Sequence, residues 1–129
     1  MKPRDPEDVN QFVTDIEEFH DKFGIAYYGP PRALPEDLIE FRTTFMDEEL
    51  DEYIQAAAKG DKAKMLDSLV DLVYVAVGTA HLHGFNFTEA WARIHAANMK
   101  KEKGPSERSA LYDVIKPEGW EPPDLSDLV

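Results

Sequence analysis

Apolar residues recur at steps of three and four along most of the chain, the period of helices rather than of strands. In "PEDVNQFVTDIEEFHDKFG", Val9, Phe12, Val13, Ile16, Phe19 and Phe23 form one stripe, and Gly24 stops the helix. "IAYYGPPRALP" reads as a loop, rich in glycine and proline. Next, "EDLIEFRTTFMDEELDEYIQAAAKG" predicts a long second helix ending at another glycine, and "DKAKMLDSLVDLVYVAVGTAHLHG" a third. With only a short turn between them, helices two and three predict an antiparallel hairpin. Asn86 and Glu89 have the spacing of a capping box that opens a fourth helix, on which Trp91 and Ile94 read as core. From Gly104 the pattern lapses into "GPSERSALYDVIKPEGWEPPDLSDLV", whose four prolines predict an extended tail. Trp120 is a large apolar group that an unanchored tail has no reason to carry, so the tail is expected to pack on the helical domain or on a second copy. No strand pattern, repeat or low-complexity tract is evident. The pattern predicts an all-α domain over residues 1–103 and a tail over 104–129.

One stretch of helix two is chemically unusual, because residues 47 to 52 hold five carboxylates in six positions. With Phe45 as zero and about 100° per residue, Leu38, Met46, Tyr53, Ile39, Ala57, Leu50 and Ile54 span an arc from roughly 20° to 180°, the predicted core face. Asp47 and Asp51 fall at about 200° and 240°, where solvent satisfies them. Glu49 falls at about 40°, inside the arc, and Glu52 and Glu48 at about −20° and −60°, beside Phe45. Helix three is apolar nearly all round and carries Asp71 in its middle, with Asp67 one turn earlier on the same side. A run of acids on a helix is ordinarily a solvated face, but these two helices both carry acids inward. Clustered, desolvated carboxylates are costly unless a cation neutralises them, and an all-oxygen set suits magnesium or manganese.

Composition narrows the classes. A chain of 129 residues, 43% hydrophobic, suits one domain. A net charge of −12 argues against a nucleic-acid polymer or an anionic membrane as partner and favours a divalent cation. Without cysteine there is no disulfide framework and no thiolate metal site. No apolar run of about 18 residues stands out, and "MKPRDPEDVN" lacks the apolar core of a signal peptide, so a cytoplasmic protein is expected. His20, His81, His83 and His95 are dispersed and read as satisfied helix-face or cap residues. Arg93, Lys100, Lys101, Lys103, Arg108 and Lys116 all follow the acidic hairpin, where they are available to hold phosphates.

These residues resemble the MazG-type all-α nucleoside triphosphate pyrophosphohydrolases, a group that includes dimeric dUTPases and phosphoribosyl-ATP pyrophosphohydrolases. The signature is E-E-x-x-E on one helix and E-x-x-D on the next. Glu48, Glu49 and Glu52 stand in the first motif and Asp71 at the end of the second. Ser68 replaces the second motif's glutamate, with Asp67 one residue earlier as its substitute. An Asn-x-x-Lys after the fourth helix falls on Asn98 and Lys101. The resemblance implies magnesium-dependent cleavage of a nucleoside triphosphate between its α and β phosphates. It also implies Glu49, Glu52, Asp71 and Asp67 as metal ligands, Glu48 as the residue that orients or deprotonates water, and Asn98 and Lys101 as contacts to substrate. A homodimer completing a helical bundle is expected. Two alternatives stand beside it: a phosphoribosyl-ATP pyrophosphohydrolase of histidine biosynthesis, and a non-catalytic acidic interaction module.

Overall fold

The computed structural model describes residues 7–129, with side chains from Gln11 onward. The side chain of Val9 and the opening residues read for a signal peptide lie outside the described residues. Four helices follow in order, α1 (Glu7–Lys22), α2 (Glu36–Lys59), α3 (Lys62–His83) and α4 (Phe87–Asn98). The described residues are thus mostly helical, as the periodicity predicts. They form two compact units, one up to Phe87 together with Val129, the other Thr88–Leu128.

In the first unit, a two-residue turn builds the hairpin. Gly60 closes α2 in a left-handed conformation, its N–H reaching the carbonyls of Ala56 and Ala57. Asp61 opens α3 by accepting from the Lys64 N–H at 3.1 Å, which satisfies one of that helix's orphan donors. The chain therefore reverses at once, and α2 and α3 pack along their length, while α1 packs on α3. The register is held by Arg42, whose Nε donates to Thr79 Oγ1 at 3.1 Å and Nη2 to the Val75 carbonyl at 3.1 Å. Gly78 makes room for it, since a Cβ there would lie 2.7 Å from Nη2.

The buried stripe of α2 is Arg42, Glu49 and Ala56, three residues at seven-residue steps. It is narrower than the predicted arc. Ile39, Leu50 and Ile54, expected in the core, are 43%, 46% and 56% exposed. On α3, Leu66, Leu69, Val70 and Val73 are likewise exposed, on the side turned away from Asp71. A single copy of the first unit thus leaves apolar surface on both arms of the hairpin. Contrary to the sequence reading, α3 is by length and composition apolar enough to cross a membrane. It packs against both α1 and α2, and its remaining face is the exposed apolar one.

Contrary to the expectation, the histidines are not all dispersed. His20 on α1 and His81 on α3 meet edge to ring at 4.9 Å between centroids, and the buried His20 Nδ1 has no hydrogen-bond partner. Burial, then the charges of His81 and Arg42, lower the His20 pKa from 6.5 to about 4, against a smaller opposing pull from Asp21. Between those two values the unfolded chain binds the proton and the folded one does not. The stability His20 supports is therefore present above pH 6.5 and lost as pH falls toward 4, on the order of 3 kcal/mol in all. His20→Asn is expected to flatten the profile of melting temperature against pH across that window relative to the parent. An unchanged difference between pH 4.5 and 7 would refute this.

The second unit contains most of α4 and the tail. Arg93 grips Asp127 with two N–H groups at 2.6 and 3.0 Å, the Asp124 carbonyl at 2.9 Å and Glu89 at 3.0 Å. Trp120 Nε1–H donates to the Ala97 carbonyl at 2.7 Å. Contrary to the expectation of no strands, β1 (Glu102–Lys103) pairs antiparallel with β2 (Val114–Ile115). Two residues per strand are too few for an alternation to show in sequence. The loop between them is tied by Asp113, which accepts from Ser106 Oγ and from Arg108 Nε and Nη2. Trp91 and Ile94, read as core, are each 41% exposed.

Candidate functional site

Once Arg42 and Gly78 are set opposite each other, helical spacing dictates what faces what two turns nearer the hairpin. Seven residues on from Arg42 is Glu49, and seven back from Gly78 is Asp71. Glu49 is buried, at 8% exposure, in the middle of the apolar stripe, so the acidic run is not simply a solvated face. Asp71 is half-buried, whereas Glu52 and Asp67 are exposed. Two carboxylates form the floor of the cluster and two its rim.

The electrostatics tie the four together. Glu49 is pushed above the usual carboxylate range first by burial, then by the charges of Glu52 and Asp71, by a hydrogen bond shared with Glu52, and by Asp67. Asp71 is pushed up by burial and then by Asp67 and Glu52, and Lys64 opposes this only in part. Lys64 lies 3.8 Å from Asp67, at the exposed rim. Glu49 Oε2 is buried without a hydrogen-bond partner. Among the described residues, no three His, Cys, Asp or Glu side chains are gathered as a ready metal-ligating set. The donor chemistry nonetheless fits a hard cation: only oxygens, excess negative charge, and one buried oxygen unpaired.

The other sequence-selected residues have local settings of their own. Glu48 is exposed on α2, next to Glu49 in sequence and not among the groups that perturb Glu49 or Asp71. Asp47 and Asp51 are exposed, and Asp51 accepts from Gln55 at 2.6 Å. Ser68, which stands where the motif has glutamate, is fully buried and donates to the Lys64 carbonyl at 2.9 Å. The neighbouring position, Asp67, is the one whose charge reaches Asp71. In the second unit, Asn98 ends α4, and its carbonyl accepts the Lys101 N–H at 3.0 Å. The Lys101 ammonium lies over the Trp120 ring, 5.1 Å from its centroid.

Sequence reasoning passed over Arg42. It falls at about 60° on the same wheel, as deep in the apolar arc as Glu49, so the signal was there. Its guanidinium bonds to a hydroxyl and a carbonyl, and it sets the register that brings the acids opposite one another.

A family model described as phosphoribosyl-ATP pyrophosphohydrolase matches residues 16–98. That span contains α2, α3 and all four clustered acids, and its last residue is Asn98. No curated protein matches the chain at a significant level.

Proposed function

The chain belongs to the phosphoribosyl-ATP pyrophosphohydrolase family, all-α hydrolases of nucleotide phosphoric anhydrides, and from that premise we propose that it cleaves nucleoside triphosphates between the α and β phosphates, releasing the monophosphate and pyrophosphate. The observation that carries this reading is the buried Glu49, with one oxygen unpaired, among three other carboxylates. Among the described residues Lys64, at the exposed rim, offsets only part of that charge. A divalent cation held by these carboxylates would neutralise it.

Glu49, Glu52, Asp71 and Asp67 are the proposed holders of magnesium, with manganese an acceptable substitute. The bound ion would supply charge neutralisation on the phosphate oxygens and a more acidic attacking water. Glu48, on the exposed edge of α2, is the proposed base. Its carboxylate accepts the proton of the water whose oxygen bonds to phosphorus, and the bond to the bridging oxygen breaks, so that pyrophosphate carries away the electron pair. Asn98 and Lys101 are the proposed contacts to sugar and phosphate, the lysine as a point charge.

The partner proposed for the bare apolar face is a second copy of the chain. Leu66, Leu69, Val70 and Val73 on one arm and Leu50 and Ile54 on the other are large apolar side chains 44–64% exposed, surface that pairing would cover. Pairing two such hairpins makes a four-helix bundle. Sedimentation of the parent as a dimer and of Val70→Glu as a monomer, still helical by circular dichroism, is the expected result. A monomeric parent refutes the pairing.

A second reading, phosphoribosyl-ATP as substrate, is favoured by the description of the matching family model. Both substrates offer the same anhydride. The deciding experiment gives the purified protein magnesium, each ribo- and deoxyribonucleoside triphosphate, and phosphoribosyl-ATP, and measures pyrophosphate. Turnover of triphosphates with pyrophosphate as first inorganic product is expected. Turnover of phosphoribosyl-ATP alone establishes the second reading, and orthophosphate as sole initial product overturns both.

A further inference from the structure

Trp120 is anchored through its one polar atom. Its Nε1–H is committed to the Ala97 carbonyl at 2.7 Å, which fixes the indole against the last turn of α4, one residue from Asn98. Two ammonium groups stand over the ring, Lys101 at 5.1 Å and Lys116 at 5.0 Å from its centroid. The ring also lines a cavity of about 360 Å³ with Lys100, Pro117, Glu118, Gly119 and Glu121. That volume is at the lower end for small-ligand sites.

A half-buried indole, with one lysine and two glutamates around its hollow and two further ammonium groups over its ring, is a mixed setting, and the mixture is informative. A bare polyanion would be met by Glu118 and Glu121 as well as by the lysines, so it is poorly matched. A ligand with a flat uncharged end and an anionic end is well matched: the flat end stacks on the indole, and the anionic end displaces an ammonium from the ring face and pairs with it. In a chain of net charge −12, two ammonium groups over one aromatic ring and a third lysine lining the hollow beside it are also a local reversal of sign.

We propose that Trp120 is a base-stacking platform for the nucleotide, flanked by Lys101 and Lys116, which hold its phosphates. This rests on the nucleotide reading above and adds to it the residue that receives the base. Stacking on an aromatic face tolerates any base, because each has a π face, so the site favours nucleotides as a class over inorganic phosphates.

The test follows the indole Nε1–H resonance of Trp120, assigned through Trp120→Phe, in the full chain without divalent cation. The probes are the four ribonucleoside monophosphates and inorganic pyrophosphate. At least one monophosphate is expected to shift the resonance saturably and pyrophosphate not to. By calorimetry, Trp120→Leu should weaken that monophosphate about ten-fold, whereas Trp120→Phe should keep most of the affinity. If Trp120→Leu does not fold, Lys116→Gln takes its place, with weaker binding again expected. A silent resonance, an equal shift with pyrophosphate, or unchanged affinity in the leucine variant (in Lys116→Gln where that variant stands in) overturns the proposal. A chain that hydrolyses nothing yet shows the shift keeps this subsite and loses the proposed activity. One that releases pyrophosphate while Trp120 stays silent keeps the activity and loses the subsite.

Discussion

Replacing Asp71 with Asn is expected to lower turnover by at least about a hundred-fold while leaving the metal-free protein as stable as the parent or more so. The loss follows from the ligand role proposed for Asp71: removing even an outer partner of a metal ligand typically costs about 10–100-fold, and a ligand itself costs more. Stability should move the other way. Asp71 is pushed above the usual carboxylate range by burial and by Asp67 and Glu52, so its ionised form is disfavoured in the metal-free fold. With the folded-state value raised, the native protein binds more protons than the unfolded chain above the ordinary carboxylate range. Stability is therefore lost as pH rises through that interval, and Asn removes Asp71's share of the loss. The side chain keeps its volume, so no cavity offsets the gain.

Magnesium supplies the contrast. At about a hundred times its dissociation constant it should add roughly 2.7 kcal/mol to the parent, by binding the folded state alone. It should add far less to Asp71→Asn. Thermal melts with and without magnesium read both halves, and Asp51→Asn serves as the control, since Asp51 is exposed and bonds only within its own helix. A variant that is strongly destabilised without metal but keeps the full magnesium shift would make Asp71 a structural hydrogen-bonding residue, and the acidic floor would not be a cation site.

The inward turn of Glu49 could be read from sequence because it needs only the pitch of one helix and the apolar residues around it. The pairing of Glu49 with Asp71 was legible for a related reason, since a two-residue turn leaves two long helices one way to fold back. Contacts that depend on where a third element docks were not legible. His20 and His81 are 61 positions apart, and nothing in either neighbourhood announces the other. The apolar arc of α2 was drawn too wide because periodicity reports every apolar position, whether it is covered by the same chain or left bare. Leu50 and Ile54 have the pattern of core residues without a neighbour in the chain to bury them. Arg42 stands as deep in the apolar arc of α2 as Glu49, but the hydroxyl and carbonyl that hold it lie on α3, which the pitch of one helix does not place.

The largest effect on stability is expected at Gly84, where Ala should cost about 3 kcal/mol, a fall of roughly 10 °C in melting temperature. Gly84 ends α3 at φ 74°, which an L-residue adopts at a cost of about 1 kcal/mol or more. The site is also crowded. A Cβ there would lie 2.9 Å from the Gly29 carbonyl oxygen, 2.9 Å from Tyr27 Cε2 and 3.1 Å from the Pro30 carbonyl oxygen. Two of those atoms are backbone and cannot swing aside. Nor can the loop retreat cheaply, because it caps the helix. The Arg32 N–H donates to the His83 carbonyl at 2.9 Å, and Arg32 Nε donates to that of Leu82 at 2.9 Å. The Tyr27 N–H donates to His81 Nε2 at 3.1 Å, and the Arg32 guanidinium lies 3.6 Å over the Tyr27 ring. Relieving the clash means giving up carbonyl partners at a helix terminus that would otherwise have none. Gly60 separates the two contributions, since it has φ 68° at the end of α2 but open space where its Cβ would go. Gly60→Ala is expected to cost only the conformational share, about 1 kcal/mol. Denaturant melts of the two variants should therefore differ by about 2 kcal/mol, and equal losses would mean that the loop over α3 yields freely and that the close approach at Gly84 contributes nothing.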